Sequence, residues 1–162
     1  MLIKKRKYWA FCGGGPGTAP TIVTRRDSGL TADTVVFDTW AWWEVLHATP
    51  TGGRLAKKYI EAPGIRLISP DIALVELSAK LARDSRTDEI HAALSAVESA
   101  SEVVGISAAA AEACGPLLLE LRRKNKGASL ADAVMLAVAR CEKARLISGD
   151  PCFDGLDDVA DS

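Results

Sequence analysis

Four acidic residues carry the strongest chemical signal in this sequence: Asp38, Glu76, Asp132 and Asp150. Asp38 directly follows the apolar run TVVF, and Asp150 follows RLIS with Gly149 between them. Both carboxylates therefore fall just past the ends of expected strands, where open α/β sheets bind their ligands. Glu76 sits in ALVELSAKL and Asp132 near the start of SLADAVMLAVARCEK, two strongly apolar helical stretches in which an acid needs a partner. No single lysine or arginine lies next to all four. Carboxylates about 5 Å apart repel by roughly 3 kcal/mol per pair at an effective dielectric near 20, so a bare cluster protonates or separates. A cation resolves that conflict. An all-oxygen donor set selects Mg²⁺ or Mn²⁺, and a site open to water and phosphate oxygens suits in-line phosphodiester hydrolysis.

Each acid alone also has a plainer role. Asp38 can cap the helix that follows it, Asp132 can close a near capping box with Ser129, and Asp150 can set the turn before Pro151. Glu76 can be an exposed helical position. Their joint arrangement is what argues for a site. Asp38 and Asp132 are the first choice as direct metal ligands, with Glu76 and Asp150 holding a second ion or orienting the nucleophile. Thr39 and Ser148 stand beside two of the acids, as hydrogen-bond donors to carboxylate or phosphate, or as cap and turn residues. Glu44 is near on the first helix, where exposed charge is the simpler account.

The elements that must bring these groups together are legible. From residue 34 onward, short β-branched runs alternate with longer helical stretches, the pattern of parallel βα units. Strands are expected at 34–37, 65–68, 102–106 and 145–148, with a short edge near Val159. Helices are expected at 39–47, at about 54–61 after a stop at Thr49, Pro50 and Gly52, and from Pro70 to about Arg83 with Ser69 as N-cap. Others should run over 87–99, 107–124 with a kink at Gly115 and Pro116, and 129–143, apolar almost all round and so buried against the sheet.

The 162 residues, 48% hydrophobic and 25% charged, suit one α/β domain. Residues 1–33 differ, being basic and Gly/Pro-rich, and read as a disordered extension ahead of a domain over 34–162. Their GGGPG lacks the lysine and flanking strand of a phosphate loop. A net charge of −1 gives no global field for nucleic acid, so any RNA contact must be local or through a bound cation. Four scattered cysteines lack the CxxC spacing of a structural zinc or thioredoxin-like site, and two histidines argue against a zinc hydrolase. With no apolar stretch near the ~20 residues that span a bilayer, the expected compartment is the cytoplasm. Trp40, Trp42 and Trp43 crowd one short helix and are expected to pack against the core or a partner subunit rather than stack on bases. Arg122, Arg123, Lys124 and Lys126 could meet RNA phosphates, although a solvated helix C-terminus is the simpler account.

The order FDTWAWWE, LVELSAK, SLADAVMLAVA, LISGDPCF resembles the four-acid pattern of PIN-domain proteins, particularly archaeal toxins of the VapC family. Asp38 and Thr39 are similar to that family's strand-end Asp-Thr/Ser, Glu76 to its helical Glu, and Asp132 to its Asp-Ala at a buried helix start. Ser148 and Asp150 resemble its Thr/Ser-x-Asp after the fourth strand. The likeness covers nearly all of residues 34–162. It implies a doubly wound α/β/α sandwich around a central, mainly parallel sheet of four or five strands. It further implies Mg²⁺- or Mn²⁺-dependent endoribonuclease activity, a VapB-like antitoxin partner and a homodimer. A PIN nuclease that processes RNA, or a catalytically silent PIN-fold module that binds RNA or protein, would share the pattern. A parallel-sheet phosphatase would need Asp-x-Asp, whereas Thr39 and Trp40 follow Asp38.

Overall fold

The computed structural model describes residues 33–160. Five strands, β1 (Asp33–Phe37), β2 (Ile65–Pro70), β3 (Glu102–Val104), β4 (Arg145–Ile147) and β5 (Val159–Ala160), form one sheet in the order β3-β2-β1-β4-β5. Every neighbouring pair is parallel. The short, apolar runs of the sequence required this, because a parallel strand is buried on both faces. Side chains alternate accordingly. Val35, Phe37, Leu67 and Ile147 enter one core, while Val36, Ile68 and Leu146 enter the other.

Helices cover each face. The first core is closed by α1 (Thr39–Leu46), α2 (Pro50–Leu55), α3 (Asp71–Arg83) and α4 (Ile90–Ala100), the second by α5 (Ala108–Lys124) and α6 (Leu130–Cys141). α6 is the most enclosed helix, buried continuously from Ala133 to Ala139, as its unbroken apolar sequence demands. The result is the expected α/β/α sandwich. None of the described helices is long and apolar enough to cross a membrane.

β1 occupies the centre of the sheet, and the chain continues to β2 and β3 on one side and to β4 and β5 on the other. The β1–β4 seam is thus the point where strand order reverses, the usual ligand crevice of such sheets. Its register pairs Phe37 with Ile147, and Asp38 extends the ladder by donating its N–H to the Ile147 carbonyl at 3.4 Å.

Several expectations at helix ends are corrected. Thr49 and Pro50 start a helix instead of stopping one, because the Thr49 hydroxyl accepts from Gly52 N–H and proline suits the first helical position. That helix continues as a π-helical turn, Ala56–Ile60, in place of a helix over 54–61. Gly52 serves packing there: a Cβ would lie 2.0 Å from the Glu44 carbonyl oxygen, so only glycine lets α2 approach α1. Ser69 and Pro70 close β2, and α3 opens at Asp71 without a side-chain cap. Buried Ser69 instead accepts from Trp42 Nε1 at 2.8 Å and bonds the Ser101 hydroxyl at 2.7 Å. α5 continues through Pro116, which lies on its exposed side, and β3 ends at Val104, ahead of Gly105. The disordered-extension reading of residues 1–33 lies outside the described residues, apart from Asp33, which opens β1.

Candidate metal centre

Asp38 is placed by the end of β1 and held by the start of α1. It is 3% exposed, and its Oδ1 accepts from Ala41 N–H at 2.7 Å as the N-cap of α1. Asp150 follows β4 and caps the short 3-10 turn Pro151–Phe153, its Oδ1 accepting from Cys152 N–H at 2.8 Å. Asp132 completes a full capping box: its Oδ2 accepts from Ser129 N–H at 2.7 Å, while Ser129 Oγ accepts from Asp132 N–H at 3.1 Å. The plain capping roles and the candidate site therefore coexist. Each capping bond occupies one carboxylate oxygen and fixes the side chain, leaving the other oxygen for a ligand.

Glu76 lies on α3 beside the buried stripe Ala73, Leu77 and Leu81. Its Oε2 accepts from Thr39 Oγ1 at 2.7 Å, which ties α3 to the first residue of α1. Ser148 is buried, accepts from Asp150 N–H at 3.0 Å and draws the Asp38 carboxyl downward in pKa, against its burial.

All four acids line one cleft of about 450 Å³, together with Thr39, Trp40, Ala79, Lys80, Arg83, Gly127, Ser129 and Met135. Among the described residues none of the four has a salt-bridge partner. Burial pushes the Asp38 carboxyl up to about 7 against the pull of Ser148 and Ala41, and the charges of Asp150 and Asp132 raise it further. Glu76 is also raised, first by burial, then by Asp132 and Asp150, with Thr39 and Arg83 opposing. Uncompensated carboxylates in one crevice, two of them holding their protons above the normal range, are the electrostatic condition that a divalent cation relieves.

Sequence reasoning missed several residues here. Cys152 has a sulfur within 4.8 Å of donor oxygens of Asp132 and Asp150, and those two carboxylates converge to the same limit. Its thiol is pushed up first by burial and then by the Asp132 charge, which keeps it neutral. The spacing of Cys152 two residues after Asp150 was the available signal. Lys80 and Arg83 stand four and seven residues beyond Glu76 and so share its helical face, a spacing that was readable. Gly149 is needed for close approach, since a Cβ would lie 2.5 Å from Trp40 Cζ2.

Other expectations are settled locally. Glu44 does not line the cleft; its carboxylate accepts from the Thr49 hydroxyl. Of the three tryptophans, Trp42 is the fully enclosed one, Trp40 forms part of the cleft wall, and Trp43 stacks on His47 with ring centroids 4.0 Å apart. Arg122, Arg123, Lys124 and Lys126 are not among the residues that line the cleft, and Arg122 donates to the Ala128 carbonyl at 3.1 Å in the turn after α5.

The family model for the PIN domain matches residues 35–159, and the chain belongs to that family. Solved structures with the same fold include the VapBC2 complex of Rickettsia felis bound to promoter DNA. It has 16% identity, covers 80% of this chain and 97% of the other, and gives a TM-score of 0.63. A toxin-antitoxin complex from Klebsiella pneumoniae is 25% identical over 78% of this chain and 95% of its own, with a TM-score of 0.54. The VapC20 toxin of Mycobacterium tuberculosis, described as cleaving the sarcin-ricin loop, is 21% identical over 77% and 98%, with a TM-score of 0.58. No curated protein is significantly similar in sequence.

Proposed function

We propose that this chain is a metal-dependent endoribonuclease and the toxin of a VapBC-type pair, with a VapB-like antitoxin as partner and a homodimer as its assembly. The convergence of Asp38, Glu76, Asp132 and Asp150 on one cleft, with no basic ion-pair partner among the described residues, carries the reading. Membership of the PIN family and the fold shared with toxin-antitoxin complexes support it.

The donor set fits Mg²⁺ or Mn²⁺: carboxylate oxygens, some already fixed by capping bonds, in an open cleft. Asp38 and Asp132 would serve as direct ligands, with Asp150 and Glu76 holding a second ion or orienting water. When bound, the ion supplies countercharge to the carboxylates, acidifies water and stabilises the charge that develops on phosphate.

The chain's own groups do the rest. Thr39 occupies Oε2 of Glu76 and leaves the second oxygen to accept a proton from the attacking water. Ser148 fixes the Asp150 backbone and favours the charged form of Asp38, the form that holds an ion. Trp40, seated on Gly149, walls the cleft on that side.

Incubation of the purified chain with labelled RNAs in Mg²⁺, in Mn²⁺ and in EDTA tests the proposal, alongside Asp38→Asn and Asp132→Asn. The expected result is cleavage that needs the ion and both acids. Cleavage that persists in EDTA, or in both variants, would overturn it.

A further inference from the structure

We propose that Lys80 and Arg83 form a phosphate-binding subsite that holds the RNA backbone beside the acidic cleft, on its α3 side; this rests on the ribonuclease reading above. Both side chains line the cleft together with the four acids. At 1.5 Å per residue they stand about 6 and about 10 Å beyond Glu76 along one face of α3. That is the scale of one or two nucleotides from the reacting phosphate.

Bare helix-dipole charges would explain two cations in the last turn of α3, but three observations go further. Neither residue forms a salt bridge among the described residues, although Glu76 lies on the same helix face. Lys80 is instead held by an aromatic surface: its Nζ sits 3.9 Å from the ring centroid of Trp43. That cation–π contact fixes the ammonium against one ring face and leaves the N–H donors that point off the ring for a phosphate oxygen. Arg83 is exposed and lines the same cleft as Glu76, so its guanidinium is open to a ligand there.

The aromatic support extends away from the cleft. Trp43 stacks on His47, whose Nδ1 faces the Trp43 carbonyl oxygen at 2.8 Å and whose Nε2 meets Arg86. Basic groups interleaved with aromatic rings are the surface that a single strand tracks. The acids alone would repel a polyanion. Two cations with no carboxylate partner among the described residues give the approaching strand a point of attachment on the side where Glu76 waits.

The test is anisotropy of a short labelled single-stranded RNA of mixed sequence, titrated with the full chain in EDTA at several KCl concentrations. The double variant Lys80→Gln with Arg83→Gln should bind about tenfold more weakly, and its log-log salt slope should fall by about 1.4, at ~0.7 per phosphate contact for single strands. The charge-preserving pair Lys80→Arg with Arg83→Lys should keep the slope, as should Arg123→Gln with Lys124→Gln at the end of α5. Melting temperatures of all variants report folding.

An unchanged slope in the neutral pair, an equal loss in the α5 pair, or no RNA binding by the unmodified chain would overturn the subsite. Loss of binding to a poly-glutamate peptide with RNA binding intact would also overturn it and make the patch a protein contact. Cleavage in Mg²⁺ is read separately. A slope change without cleavage sinks the nuclease reading alone, and cleavage with an unchanged slope sinks the subsite alone.

Discussion

Asp38 and Asp150 follow adjacent parallel strands, and each accepts a capping bond from the helix or turn that it opens. Their surroundings differ sharply: Asp38 is buried at the central strand, whereas Asp150 is exposed at the cleft rim. One local device, a carboxylate at a strand-to-helix junction, thus gives a desolvated acid with a raised pKa on one side and a solvated acid on the other. Burial makes the difference. A buried carboxylate gains most from an incoming cation and costs most without one.

Charge removal at Asp38 should therefore have the largest effect. Asp38→Asn keeps the cap, because asparagine caps as well as aspartate, while removing the charge. Metal-dependent cleavage should fall by ~100-fold or more, and the metal-free chain at pH 8 should gain on the order of 4 kcal/mol, since the carboxyl is raised from 3.8 to about 7 and each unit of pKa shift is about 1.4 kcal/mol. Urea unfolding and RNA cleavage read the two halves. Asp150→Asn should lose activity with almost no gain in stability. Equal stability changes at both positions would break the contrast.

Next in size is the geometry that joins the two sides. Gly149→Ala drives a methyl group into Trp40 and should cost about 1–3 kcal/mol in denaturant unfolding, with activity falling alongside as the cleft wall shifts. An alanine variant of unchanged stability would mean that Trp40 moves freely.

The pH profile follows from Asp38. Its folded pKa of about 7 exceeds the ordinary 3.8, so between those values the folded chain keeps a proton that the unfolded chain has released. Stability of the metal-free chain should then fall as pH rises from about 4 to about 7 and level off above. The raised Glu76 adds to the same slope. Asp38→Asn should flatten most of it, and saturating Mg²⁺ should do likewise by replacing the proton. Thermal melts across this range check the sign.

The smallest effect is expected on the α3 side. Thr39→Val removes the donor to Glu76 and should weaken metal affinity by ~10-fold, whereas Thr39→Ser should retain it. Calorimetric titration with Mn²⁺ distinguishes them.

Much of this was legible in the sequence, because alternation and punctuation are local. TVVF and RLIS declare buried parallel strands, and SLADAVMLAVA declares a capped, enclosed helix. Helix boundaries fared worse where one residue type serves two purposes. Gly52 reads as a stop but serves the contact of α2 with α1, and Ser69 reads as a cap but is spent on Trp42 and Ser101.

What the sequence determined alone is the set of carboxylates and the elements that bear them, since strand period and capping chemistry act within a few residues. Strand order, with β1 beside β4, was decided by tertiary packing, and so was the burial that separates Asp38 from Asp150. The same packing brought Cys152 to Asp132, and put Lys80 and Arg83 in one cleft with Asp38, Asp132 and Asp150. Proximity between residues far apart in the chain depends on which faces bury against each other, a property of the whole core and of no single segment.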